Sequence, residues 1–311
     1  MRPLLLFALL ATSTPGVGLI VDQAFHPDQQ QSMVVKEPHY SAELRILKPA
    51  CDNCSNEGRF RLDVSRDTAL LGAFILPPEL AQIDALQFTR FDKLLVFAHA
   101  SSAVRGVVVI DLSARRQTDY FWCYDPVLSP DTRFIVYEKF YPAHTVGSPS
   151  AEYLLYDLSN GPERNRPHGI SVADIENVGM PVFPLSATNS PADNLMVEPA
   201  STHWKASGFA WSMDSNMFTV VDKTPENTSL VVVSINPADG LVRGVQTIPL
   251  EKLLTQQRRP DCAPSDVHVS EIFMSSSDAG HSVRLGLSSP QAACLASNKL
   301  TLDVPLPPEN P

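Results

Sequence analysis

Clustered positive charge is missing from this chain. It carries 24 lysines and arginines against 34 aspartates and glutamates, for a formal charge of −10, and its basic doublets are Arg115-Arg116 and Arg258-Arg259. Phosphate recognition needs a patch of such residues, so no nucleic-acid partner is expected. Catalytic signatures are missing too. No G-x-S-x-G string offers a serine on a strand-to-helix elbow, and there is no Walker loop, dinucleotide fingerprint, H-E-x-x-H pair or EF-hand loop. Once the strand repeats are counted, no residues remain for an attached α/β-hydrolase domain. Glycine is scarce, 14 residues against 27 prolines, in a chain 44% hydrophobic and 19% charged. That balance excludes disorder throughout and suits many short strands with punctuated ends.

A uniform apolar run of membrane-spanning length is also lacking. Met1-Arg2-Pro3 precedes apolar Leu4 to Ala11, then small Thr12, Ser13, Thr14 and Gly16, which is the pattern of a secretory signal. Residues 1–18 are read as that signal, 19–40 as an N-terminal extension and 41–311 as the folded domain. The alternative is an uncleaved anchor, since apolar residues resume at Val17 to Val21, but Thr12 to Pro15 interrupt the stretch. After cleavage no transmembrane segment is left. No cysteine follows the apolar core, so a bacterial lipid anchor is not indicated. A periplasmic or extracellular location is expected.

Five cysteines then face an oxidising compartment, where disulfides are the expected state. Cys51 and Cys54 form a close pair read as a local structural bridge, and Cys262 and Cys294 bracket the last repeat. Redox chemistry at Cys51-Asp52-Asn53-Cys54 would need a helix start in a βαβ setting, and β-like segments flank it. Zinc would need a second close pair, which is missing. Cys123, between Trp122 and Tyr124, is left over and reads as a small buried apolar residue.

What is present is a recurring strand unit. Ser129-Pro130-Asp131 leads into Arg133 to Tyr137, then Tyr153 to Tyr156, then a cap Asp157-Leu158-Ser159. Phe91-Asp92-Lys93 leads into Leu94 to Ala98, then Val107 to Ile110 and the same cap, Asp111-Leu112-Ser113. A third copy runs from Trp211-Ser212-Met213-Asp214 through Met217 to Val221 and Leu230 to Val233, ending at Asn236-Pro237. Turn aspartates at 92, 131, 214 and 278 are 39, 83 and 64 apart, which reads as one period and then two. A period near forty filled with strands is the mark of propeller blades, which become stable by stacking. The expected fold is all-β, a propeller of five to seven four-stranded blades, some irregular or incomplete. Segments around Pro78 to Leu86 and Pro249 to Gln257 read as short helices.

The runs Leu128 to Tyr137 and Trp211 to Val220 resemble the WD40-like blade motif of TolB-type periplasmic propellers. In that family a serine, proline, aspartate and glycine turn precedes a lysine and an apolar strand; here Thr132 and Ser215 stand where glycine is usual. The resemblance is clear over about residues 86–236. It implies a propeller fold and, since TolB-type proteins bind other proteins, a protein partner.

Residues 161–207 interrupt the period. This Pro-rich insertion holds two histidines and one convincing strand, Met180 to Phe183, so either one blade is degenerate or a long loop leaves the propeller. Loops on a rigid β scaffold are the usual place for recognition. Tyr120, Trp122, Tyr124 and Tyr141, with His203 and Trp204, form a candidate recognition surface, because Trp and Tyr are favoured interface anchors; the alternative is packing between blades. Ser276 to Val283 partly matches the S-x-D-x-G-x-T-W hairpin of sialidase-type propellers, and reads as a structural turn. Eight histidines occur, never as a close pair. His99, His144 and Glu138 are the candidates for a metal site assembled from separate blades. No catalytic residue and no cofactor are assigned. The expected role is an exported, noncatalytic protein-binding or scaffold propeller. The alternatives are a metal-dependent propeller hydrolase or lactonase with its site in the central channel, and an incomplete propeller that closes only with another subunit.

Overall fold

A computed structural model describes residues 32–48, 59–101, 103–140, 151–166, 174–176, 178–183, 204–224, 227–263, 267–277, 280–289, 294–295 and 301–306. It is an all-β propeller whose blades follow one another in chain order. The first blade is β1 (Ser32–Lys36), β2 (Tyr40–Lys48), β3 (Arg59–Arg66) and β4 (Ala69–Ile75), paired antiparallel in that order. The second is β5 (Gln82–Phe88), β6 (Lys93–His99), β7 (Arg105–Asp111) and the first half of β8 (Arg116–Leu128). The second half of β8 opens the third blade, which continues through β9 (Phe134–Lys139), β10 (Tyr153–Asp157) and β11 (Met180–Phe183). The fourth has β12 (Trp204–Lys205) and β13 (Ala210–Trp211), both paired to β14 (Met217–Lys223), then β15 (Thr228–Ile235) and β16 (Val242–Pro249). The fifth has β17 (His268–Ser277), β18 (Gly280–Ser288) and β19 (Thr301–Pro305).

Four apolar cores join these blades in sequence. Leu44, Leu62 and Phe74 of the first blade meet Ile83, Val96 and Val108 of the second. On the other face of the second, Leu95, Val107 and Phe121 meet Tyr137, Leu154 and Tyr156 of the third. The remaining cores set Phe134 and Tyr153 against Phe218 and Val231, and Val221 and Val232 against Val269, Val283 and Leu285. Strands inside the stack are therefore apolar on both faces, as Val107–Ile110 and Phe134–Tyr137 show. Burying each such side chain contributes roughly 1.5–3 kcal/mol, so these short runs specify the stack. The first and fifth blades instead alternate, with one face buried and one polar face outward.

Several expectations change. Among the described residues the interval between Asp131 and Asp214 holds the rest of one blade and the start of the next: Met180–Phe183 is the third blade's last strand, and Trp204–Lys205 pairs with the fourth. The helix expected around Pro78 to Leu86 is a turn followed by β5, because Ile83, Leu86 and Phe88 point into the first core while β6 satisfies the backbone. The second expected helix is present as α1 (Glu251–Gln257). From Ser32 onward, the segment read as an extension is the edge strand of the first blade. The signal, Cys51, Cys54, Tyr141, His144 and His203 lie outside the described residues. Cys262 and Cys294 are joined as a disulfide, and Cys123 is a free, fully buried thiol whose ionisation burial opposes. Ser277 pairs with Gly280, so the sialidase-like run does form a hairpin.

Candidate functional site

The blades have two unlike ends. At the turn end each blade's first strand reverses into its second; at the loop end lie the connections between second and third strands and between blades.

At the turn end the recurring motif builds the same hydrogen bonds each time. Ser129 Oγ donates to Asp131 Oδ1 (2.7 Å) and accepts from the Phe134 N–H (2.9 Å); Ser212 does the same with Asp214 (2.6 Å) and Met217 (3.0 Å). Thr132 and Ser215, at the glycine position, have φ of 61°. Asp92 has φ of 53° and occupies the equivalent place, with Thr89 in the serine role. The structure thus aligns Asp92 with Thr132 and Ser215, one residue later than the aspartate spacing suggests.

Left-handed backbone is costly for residues with a side chain, and here each side chain has a use. Tyr40 of the first blade donates its hydroxyl to Asp92 Oδ1 (2.8 Å). The Arg90 N–H of the second donates to Thr132 Oγ1 (3.1 Å), and the Asp131 N–H of the third donates to Ser215 Oγ (3.0 Å). Every one of these acceptors receives a bond from the preceding blade. Glycine has no atom with which to accept it. Arg90 also pairs with Asp131 at 2.6 Å. The caps close the same end, with Lys93 on Asp111 (3.0 Å) and Arg133 gripping Asp157 with two nitrogens (3.2 and 3.0 Å).

Between the second and third blades, the start of the insertion is tied down by charge. Arg166 and Asp119 form an ion pair at 2.6 Å with side chains 1% and 0% exposed. The Tyr156 hydroxyl donates to the same carboxylate (3.1 Å). Burial raises the Asp119 pKa even with Arg166 opposing the shift.

The loop end carries the candidate site. At Asp125-Pro126 the β8 register shifts as the strand passes between blades, and Asp125 has φ of 44°. That break turns the exposed Asp125 carboxylate to Lys205, which bonds it and stands 3.7 Å from Glu138 Oε2. The Lys205 ammonium is buried, 5.4 Å from the Phe209 ring centre. Lys205 is register partner of Asp222, whose carboxylate accepts the Tyr153 hydroxyl at 2.7 Å. Burial, first, and then nearby Asp125 and Asp222 raise the Glu138 pKa, with Lys205 pulling the other way. Among the described residues the cluster sets the Lys205 ammonium beside the Asp125 and Glu138 carboxylates, with Asp222 as its register partner.

Beside it lie the aromatic residues singled out in the sequence. Trp122 packs edge-on to Phe140 (5.2 Å between ring centres) and Tyr124 tilts against the same ring (5.7 Å). Tyr120 points into the first core, accepts a bond from the Trp122 indole, and burial pushes its pKa up to about 12. Tyr120 therefore belongs to blade packing, while Trp122 and Tyr124 are half-buried at the blade's end. Trp204 is placed by its backbone, paired with Lys223.

His99 and Glu138 are not brought together. His99 is bonded to Asp84 (3.1 Å) and receives an Arg105 N–H, in a separate group made by the β5 bulge at Asp84. His99 and Lys139 share a row but are three strands apart, roughly 14 Å at about 4.8 Å per strand. Among the described residues no group of three His, Cys, Asp or Glu side chains is arranged to hold a metal. Sequence reading missed Lys205, Asp125 and Asp222. The signal was there for Asp222, a lone acid ending the apolar run Met217 to Val221.

No family model and no curated protein sequence matches the chain. Solved structures resemble it in fold at low identity. A prolyl endopeptidase is 12% identical with a TM-score of 0.39, over 89% of this chain and 35% of its own, so the chain spans about a third of that enzyme. The β-propeller domain of the Trilobed protease from Pyrococcus furiosus is 12% identical with a TM-score of 0.34, over 83% and 65%. TolB from Acinetobacter baumannii is 12% identical with a TM-score of 0.26, over 81% and 52%. No helix among the described residues is long and apolar enough to cross a membrane.

Proposed function

We propose that this chain is an exported, noncatalytic β-propeller that binds another protein through its loop end, in the manner that its TolB-type turns suggest. The observation that carries this reading is the gathering of Trp122, Tyr124 and Phe140 beside the Asp125–Lys205–Glu138 cluster. Half-buried rings anchored at a rigid blade end are good interface anchors, because little side-chain freedom is lost when they are covered. The carboxylates alongside supply polar selectivity at the rim. Export agrees with the N-terminal signal pattern and with the Cys262–Cys294 disulfide, since such bonds persist in oxidising compartments.

The test is partner capture from the native host with the full chain and with Trp122→Ala/Tyr124→Ala. Both proteins are first shown to unfold with the same midpoint. Loss of the same specific partner from the double variant is expected. Retention of that partner at full yield overturns the loop-end assignment. Cell fractionation checks export separately, and recovery of the chain in the cytosol overturns that part.

A further inference from the structure

The two terminal blades each bury one face and leave the other open. Of the eight large apolar side chains exposed among the described residues, five lie on these free faces: Val34, Leu47, Leu70 and Ile75 on the first blade and Phe273 on the fifth. No apolar core among the described residues joins β17–β19 to β1–β4. Among the described residues there are thus four internal junctions and two unmatched half-junctions.

The half-junctions can be matched row by row, and the clearest charge match is at Glu271. Counted from the turn end, the free face of the first blade presents Ser41 opposite Ser65, then Glu43 opposite Asp63, then Arg45 opposite Arg61. Like charges directly across a strand pair repel; the pairs along each strand, Arg45 with Glu43 at 2.6 Å and Arg61 with Asp63 at 2.8 Å, relieve them, and Asp63 also acts on Arg45 across the strands. The fifth blade presents Ser275 opposite Ser282, then Phe273 opposite Arg284 with Asp303 paired to that arginine at 2.8 Å, then Glu271 opposite Gly286. Stacked in the sense used at the other junctions, the serine rows meet, the Arg284–Asp303 pair faces the Glu43/Asp63 row, and Glu271 faces the Arg45/Arg61 row. Phe273 meets the apolar margin at Val34.

We propose that the fifth blade of one molecule docks on the first blade of a second copy, head to tail, by these faces. Such a contact is heterologous, so it extends to a ring or a filament rather than stopping at a symmetric pair. It uses a surface separate from the loop end and does not rest on the function proposed above.

Sedimentation velocity over a wide concentration range tests this with the full chain. Wild type is expected to gain mass with concentration and to lose it in high salt, because the facing charges are at the surface. Glu271→Arg/Arg284→Glu is expected to weaken association by about tenfold or more, as like charges would then face each other. Adding Glu43→Arg/Asp63→Arg/Arg45→Glu/Arg61→Glu to that variant is expected to restore it, which a misfolded variant would not do. Wild type that stays monomeric throughout overturns the proposal, as does association unchanged by the first variant. A dilute monomer in which Ser41→Cys and Ser282→Cys crosslink within one chain shows closure on itself, and also overturns it.

Discussion

The two ends of the blades are built on opposite terms. At the turn end, Ser129–Thr132 and Ser212–Ser215 repeat one hydrogen-bond pattern, Thr89–Asp92 keeps its backbone part, and the left-handed residues pass bonds from blade to blade. At the loop end the corresponding segments share no pattern, and Asp84–His99–Arg105 and Asp125–Lys205–Glu138 are unrelated groupings on neighbouring blades. Regularity at one end frees the other to vary. A blade registered by its turn tolerates an unlike loop, and that tolerance is what a recognition surface needs.

The largest way to break this contrast lies between the ends, at Arg166. Arg166→Met leaves Asp119 as a buried charge without its partner and is expected to cost about 3–5 kcal/mol in urea unfolding. Adding Asp119→Leu should return much of that loss, since an apolar pair has no charge to strand. Second comes the disulfide. Cys262 and Cys294 are 32 residues apart, and Cys262→Ser/Cys294→Ser is expected to cost about 3–4 kcal/mol on loop-closure grounds. If the loss is confined to the fifth blade, hydrogen exchange will speed up in β17–β19 and leave β6 and β7 unchanged.

A smaller effect sharpens the account of the turn end. Ser215→Ala keeps the left-handed strain and removes the bond from Asp131, and should cost about 1 kcal/mol. Ser215→Gly removes the same bond but also the strain, and should cost less. A larger loss with glycine than with alanine would break the argument that the hydroxyl offsets its backbone. The same order is expected at Thr132.

The smallest effect belongs to the loop end and is read through pH. Burial raises Glu138 above its ordinary value of 4.5, so above that value the folded chain holds a proton that the unfolded chain has released. Its contribution therefore falls as pH rises from about 4.5 to the raised pKa and is flat beyond it. The stability of wild type relative to Glu138→Gln is expected to fall across that window. A wild type that gains stability relative to Glu138→Gln as pH rises would mean that Lys205, and not burial, governs the site.

Much of the turn end was legible, because Ser-Pro-Asp and Ser-Met-Asp put their chemistry in neighbouring residues. Even there the register of Asp92 was misjudged by one, since aspartate serves equally as the turn acid and as a left-handed residue. Strands buried on both faces, such as Val107–Ile110, declared themselves by continuous apolar runs. Met180–Phe183 was visible, whereas β12 and β13 were not, for two residues give no period. The loop-end site was hardest, because Lys205 meets Asp125 across 80 residues and Tyr153 meets Asp222 across 69. Nothing local in the chain announces such a meeting.

The side chains at the left-handed turn positions also bear on ancestry. A search pattern that demands glycine after Ser-Pro-Asp scores Thr132, Ser215 and Asp92 as mismatches, although all three keep the turn and add a bond. Relatives of this protein should be sought with an oxygen-bearing residue there, and with its donor one blade upstream. A substitution at that position and a change in the preceding blade would then be inherited together.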